Sequence, residues 1–283
     1  MNKIIGLLLL SFVTSTQAEP LLVPGKPGED KLMQLIFKEI VNRSDRFDSI
    51  SHYYGNAGDP NTAKMIEDLD SGHLHITYVA TSLDNESTMS PIYFPIYRGL
   101  LGMRLGIVRS DKANTFAGIT RVDQLKSLTA CQGRAWPDTD ILEANGIKTA
   151  QSLKYPNMFP MLEGGRCDYF PRGVFEPFTE IVAQKQYNLT VDEYVMLRYK
   201  MPFFFFTAKN NPELATHIQE ILYEMFEDGT YERMFFDDTE VAQALRLAKL
   251  QDRTIFDLEN PSVSPATRNI PTQFWYDPLK GAQ

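Results

Sequence analysis

Cysteine is scarce in this chain: Cys131 and Cys167 are the only two in 283 residues. Two thiols cannot build a tetrahedral metal site, and in an oxidising compartment they allow one disulfide. Histidine is almost as rare, with His52, His73, His75 and His217. His73 and His75 share a strand face, but no carboxylate or third histidine stands at ligand spacing. A strand edge near Gly72 accounts for them better than a metal does. Basic runs and low-complexity tracts are missing. The 28 Lys+Arg against 36 Asp+Glu give a net charge of −8 and a pI of about 5.1. Nucleic acid and anionic membrane surfaces are therefore poor partners. No GxSxG, HExxH or phosphate-binding glycine loop occurs. Beyond the N-terminal stretch no apolar run is long enough to cross a bilayer, and the aromatic run 203–206 is far too short.

What is present begins with that N-terminal stretch. Lys3 gives a positive start, residues 4–13 form a short apolar core, and Thr16-Gln17-Ala18 ends it with small residues at the two positions a signal peptidase needs. Residues 1–18 read as a cleaved signal peptide. No cysteine follows them for lipid attachment, so the expected product is a freely diffusing periplasmic protein. Its 43% hydrophobic and 12% aromatic content describes an ordered globular chain, long enough for one large or two medium domains.

The pattern beyond the leader alternates helices with apolar strands, which argues for α/β sheets with parallel strands. Strands are expected at 21–23, 47–53, 74–80, 103–108, 129–132, 152–155 and 167–170. Helices are expected at 61–69, 122–128, 138–144, 158–163 and 175–184, and one opens near Leu32 with Glu29 and Asp30 at its N-terminus. An extended run at 195–207 precedes helices at 212–226, 231–236 and 241–250. MIEDLDSGHLHITYVA and MFPMLEGGRCDYF both read helix, glycine, strand, which suggests two similarly built lobes. The tail, 261–283, is expected to wrap the first lobe, because Phe274-Trp275-Tyr276 needs burial.

This order of elements resembles extracellular solute-binding proteins of family 3, the polar amino-acid type of periplasmic binding protein in ABC importers. LDSGHLHITYVAT looks like the lobe-one helix, glycine, strand and threonine unit. PIYFPIYRGLLGMRLGIVRSD looks like the outgoing crossover, and VDQLKSLTACQGRAW like the opening of lobe two. LEGGRCDYF looks like a strand entry of lobe two, and YVMLRYKMPFFFFTAKNNPEL like the return crossover. The resemblance implies a type II two-lobed α/β fold. Each lobe would be a mainly parallel sheet flanked by helices, and two crossover strands would join them as a hinge. Lobe one would take residues 19–108 and 199–283, and lobe two 109–198. It also implies that Cys131 and Cys167 lie on neighbouring strands, where a disulfide can form. The amino-acid clamp of the family is not intact. Asn85 stands where its carboxylate-gripping arginine belongs, Arg134 follows Gly133 where a threonine or serine is usual, and Pro171-Arg172-Gly173 replaces the ammonium-binding aspartate.

Arg134 lies between a strand end and a helix start, a place that attracts anions, and its guanidinium could grip a carboxylate. The alternative is a surface pair with Asp138 or Asp140. Trp136 could stack on a flat ligand or pack beneath its helix. Asp138 is most simply an N-cap. Arg172 is expected at the cleft because strand C-ends face the crevice; an ion pair with Glu176 is its alternative. Thr81, Ser82 and Asn85 would add neutral hydrogen bonds, while Tyr93 and Tyr97 read as core. Two lobe-two arginines favour an acidic ligand. The leading expectation is a monomeric solute-binding protein for an ABC permease, with no cofactor, no metal and no chemistry. The alternatives are a periplasmic enzyme on the same fold, cyclohexadienyl dehydratase-like, with Glu176 or Asp138 as acid or base, and a soluble partner of a membrane sensor.

Overall fold

Leu32, Ile36, Phe37 and Ile40 are all buried on the helix Leu32–Arg43, so their i, i+4 spacing marks the core-facing stripe. This computed structural model describes residues 18–28, 31–134, 136–277 and 279–280. The expected leader lies outside the described residues apart from Ala18, as do Glu29 and Asp30. Among the described residues no helix is long and apolar enough to cross a membrane.

Twelve strands are described: β1 (Glu19–Val23), β2 (Phe47–His52), β3 (Thr77–Ala80), β4 (Met89–Ile92), β5 (Met103–Arg109), β6 (Thr129–Gly133), β7 (Lys148–Ser152), β8 (Phe170–Gly173), β9 (Leu189–Val191), β10 (Val195–Arg198), β11 (Phe203–Ala208) and β12 (Thr254–Asp257). In the first half, β1 and β2 pair parallel, and β11 lies antiparallel between β3 and β4. The His75 amide donates to Leu22 O at 2.9 Å and ties the two pieces together. In the second half, β6 and β7 pair parallel, and an isolated bridge joins Ala130 to Tyr169. Strand β5 runs antiparallel to β8, β9 and β10. The antiparallel pairs arise where a strand arriving from the other half, β5 or β11, runs back against its neighbours.

The core follows the same division. Phe204, Phe205 and Phe206 are fully buried beside Phe37, Phe94, Tyr231 and Phe235. Consecutive buried aromatics mean that β11 is covered on both faces, as a central strand should be. A second cluster gathers Leu125, Ile141, Leu142, Ile147 and Tyr169. The tail joins the first: Phe274 stacks on Tyr223 at 5.1 Å and meets Phe226 edge-on at 4.7 Å.

Two crossovers pass side by side between the halves. The Tyr199 amide donates to Gly102 O at 3.0 Å. A Cβ on Gly102 would stand 2.0 Å from Tyr199 O, so only glycine lets the two backbones approach this closely.

Several expected boundaries move. The strand placed at 152–155 is β7, Lys148–Ser152, a polar edge strand with no apolar alternation to reveal it; Leu153 beyond it is 77% exposed. The strand placed at 167–170 is β8, starting at Phe170, because residues 167–169 make one bridge and side-chain contacts instead of a ladder. The run 195–207 divides into β10 and β11 around the crossover. Strands β9 and β12 are too short to show a period.

Candidate functional site

Strand β6 ends at Gly133, and the helix Pro137–Ala144 begins four residues later. The close turn between them is possible because the Trp136 ring lies over Gly133, where a Cβ would meet it at 2.4 Å. Pro137 fixes the first helical position, so Trp136 takes the N-cap place and no side chain caps the helix. The expected Asp138 cap is thereby corrected. Asp138 sits one residue inside the helix, 6% exposed, and turns into the protein, where its carboxylate meets Arg104 at 2.6 Å and accepts from the Tyr199 hydroxyl. Arg134, in the turn, is exposed, and no described carboxylate pairs with it; the alternative pair with Asp138 is excluded because Arg104 holds that group.

Across from this turn, strand β3 leads into the short helix Leu83–Thr88. Ser82 caps it by accepting from the Asn85 amide at 3.1 Å, and Asn85 Nδ2 returns to Ala80 O at 2.9 Å. Between the two turns lies a cleft of about 610 Å³. Its lining includes Ser82, Asp84 and Asn85 on one side, Arg134, Trp136 and Asp140 on the other, and Ser262 from the tail. Four of the expected site residues, Ser82, Asn85, Arg134 and Trp136, thus come together.

The other three do not line it. Thr81 is buried; its hydroxyl donates to Glu86 Oε1 at 2.7 Å and its amide to Pro202 O at 2.9 Å. Arg172 is enclosed by carboxylates, with Nη2 at 2.5 Å from Glu176 and 2.7 Å from Glu180. Its guanidinium also lies over the rings of Trp136, Tyr155 and Phe170 at 5.0 to 5.4 Å. Burial pulls the Arg172 pKa down, but Glu176 and Glu180 outweigh it and leave the group above its ordinary value. Glu176 accepts from the Gly173 amide at 2.6 Å and faces Arg104 at 3.3 Å. Burial pushes its carboxyl up against the pull of Arg172 and Arg104. Arg172 therefore supports the Trp136 ring from within lobe two.

Arg104 and Tyr199 were not foreseen. One sign was available: Arg104 is a lone charge in the apolar strand MRLGIV, and a buried charge must be paired. A wider groove of about 920 Å³ runs beside Arg98, Arg198 and Trp275. Two of its guanidinium groups are spent on Glu232 and Asp257, so the cleft between the β3 and β6 turns is the better candidate. The cysteines expected on neighbouring strands are joined: Cys131 and Cys167 form a disulfide with Cα atoms 5.4 Å apart. Cys131 is on β6, whereas Cys167 lies in the turn before β8. His73 stacks on Tyr53 at 5.2 Å and His75 meets Phe47 at 5.6 Å; among the described residues no cluster could hold a metal.

No family model and no curated protein matches this chain. Solved structures do. The periplasmic VFT2 domain of Bordetella pertussis BvgS superposes with a TM-score of 0.56 at 14% identity, over 78% of this chain and 93% of that one. The probable amino-acid ABC transporter extracellular-binding protein YtmK of Bacillus subtilis gives 0.55 at 15%, over 79% and 100%. A structure from work on glutathione import via GshT and the cystine importer TcyBC of Streptococcus mutans gives 0.53 at 14%, over 78% and 95%. The fold is that of the two-lobed periplasmic binding proteins. The described cleft lies between the turns that follow β3 and β6, and the two crossovers meet at Gly102 and Tyr199.

Proposed function

We propose that this chain is an exported solute-binding protein that closes its two lobes on a small polar ligand and performs no chemistry. The observation that carries this reading is the exposed, unpaired Arg134 in a cleft lined from both lobes. Ligands of open α/β sheets bind outside the strand C-ends, which is where Gly133 and Ala80 terminate β6 and β3. The likeness to an amino-acid ABC transporter extracellular-binding protein supports delivery to an inner-membrane permease. The lobe limits 19–108 and 109–198, with 199–283 returning to lobe one apart from the stretch around β12, the periplasmic location and the monomeric state belong to the same proposal. With Arg172 spent inside lobe two, Arg134 is the single cation for the ligand. The fitting ligand carries one anionic group, and its remaining groups bond Ser82, Asn85 and the rim carboxylates Asp84 and Asp140.

A thermal-shift panel of amino acids, monocarboxylates, dicarboxylates, sugar acids and small peptides tests it. A ligand at a hundred times its Kd stabilises the folded state by about 2.7 kcal/mol, so at least one member raises Tm by several degrees. Arg134→Ala abolishes the shift and leaves the ligand-free melt unchanged. A shift of equal size in Arg134→Ala would remove the site from this cleft.

A further inference from the structure

The chain does not stop crossing between lobes at the return strand. Strand β12 pairs parallel with β10, and Phe256 and Leu258 pack in the lobe-two cluster with Ile141 and Leu142. Glu259 is held there by a reciprocal pair: its amide donates to Asn145 Oδ1 at 3.0 Å and its carbonyl accepts from Asn145 Nδ2 at 2.7 Å. The backbone then turns toward lobe one. Asn260 Nδ2 donates to Lys200 O at 2.8 Å, on the return crossover. Ser262 faces the cleft. Thr267 donates to Glu86 Oε1 at 2.8 Å, the same oxygen that holds Thr81. Trp275 lies against Gly99 of the outgoing crossover, and the Tyr276 amide donates to Arg98 O at 2.8 Å. Lys200 closes the loop by donating to Arg268 O at 2.7 Å, with its ammonium 5.5 Å from the Trp275 ring.

We propose that the chain, back in lobe one in the helices up to Ala248, makes a second excursion into lobe two at β12 and returns through residues 258–276, and that this second return brings Ser262 into the binding cleft as an additional ligand-facing residue and restrains opening of the hinge. A two-crossover hinge bends where two short backbones pass. A further return strap anchored on Asn145 at one end and on the lobe-one core at the other has to move with every change of lobe angle. It therefore makes opening costlier than two strands alone would. The proposal rests on the two-lobed reading but on no particular ligand.

Native-state hydrogen exchange on the ligand-free chain tests it. The reporters are the amides of Tyr199, bonded to Gly102 O, and Thr81, bonded to Pro202 O; the reference is Leu222 in the lobe-one helix Pro212–Glu227. Asn145→Ala cuts the strap at its lobe-two end, away from both reporters, whereas Asn260→Ala cuts it at Lys200 O, between them, so Asn145→Ala decides. Exchange at Tyr199 and Thr81 roughly tenfold faster in Asn145→Ala as well as in Asn260→Ala, with Leu222 steady, is the expected result. Unchanged reporters in Asn145→Ala, or reporters and Leu222 rising together, would overturn it. A panel that finds no ligand would end the receptor reading and leave this measurement standing.

An independent observation concerns the floor of lobe two. Arg104 Nε, Tyr169 Oη and Asp192 Oδ1 are buried with no hydrogen-bond partner among the described residues. All three side chains line one small cavity of about 10 Å³, otherwise walled by groups such as Phe116, Pro171 and Leu197. That is room for one water, and three polar groups are the usual complement of an internal one. We infer an internal water site there, accepting from Arg104 and donating to Asp192, with Tyr169 as the third partner. A crystallographic map that orders internal waters should show a peak within hydrogen-bond reach of all three atoms. Well-ordered side chains with no peak between them would refute it.

Discussion

Asp138 shows how one side chain can be misplaced by local reasoning and explained by tertiary contacts. An aspartate at a helix start reads as a cap, yet Pro137 already fixes the first turn and pushes the cap place back to Trp136. Asp138 is then free to pair with Arg104 and Tyr199, which lie on or beside the two crossovers. Removing Asp138 takes the nearer of two carboxylates from buried Arg104 and leaves only Glu176 at 3.3 Å, a loss of up to about 3 kcal/mol. Asp138→Ala should therefore lower Tm far more than Asp140→Ala, which changes an exposed carboxylate worth about 0.5 kcal/mol or less. Equal melts would mean that the Arg104 pair contributes nothing. Arg172 shows the same limit. It was expected just after a strand but lies within β8, Phe170–Gly173, and Glu180, the carboxylate that encloses it with Glu176, sits in the next helix and meets it only in the fold.

At the scale of elements, legibility followed burial. Strands β3, β10 and β11 carry apolar patterns and were readable, whereas the polar edge strand β7 and the three-residue β9 carry none. Helix ends also hold the clearest pH effect. Arg43 closes the helix Leu32–Arg43 and reaches Asp228, just past the helix Pro212–Glu227, at 2.7 Å. The Arg43 hydrogen bond, with help from Thr230, holds the Asp228 carboxyl down at about 2. A depressed folded-state pKa gives stability that is complete above the unfolded value of about 3.9 and is lost as pH falls toward 2. The melting temperature should therefore fall more steeply across that window in the parent than in Arg43→Gln. The disulfide acts on a longer element. It closes 36 residues of lobe two, which in the chain-entropy account is worth about 4 kcal/mol. Reduction should lower Tm by on the order of 10 °C, and alkylation of the unreduced, denatured chain should label neither cysteine. An unchanged melt on complete reduction would show that packing around Met158 and Phe159 alone holds this region.

For the whole molecule, the order of elements was enough to expect two lobes and two crossovers, because helix–glycine–strand units and long crossover runs are visible in this sequence itself. The path of the tail was not legible beyond the need to bury Phe274 and its neighbours, since its ties are single hydrogen bonds spread over both lobes. The cleft was readable in part: residues 82, 85, 134 and 136 meet, while Asp84, Asp140 and Ser262 come to it by geometry. The central claim is that the lobes close on a ligand gripped by Arg134. Small-angle X-ray scattering with a ligand found in the thermal-shift panel tests it most directly. The account predicts a smaller radius of gyration for the liganded parent and no change for Arg134→Ala at the same concentration. Binding with an unchanged radius, or equal compaction in Arg134→Ala, would contradict it.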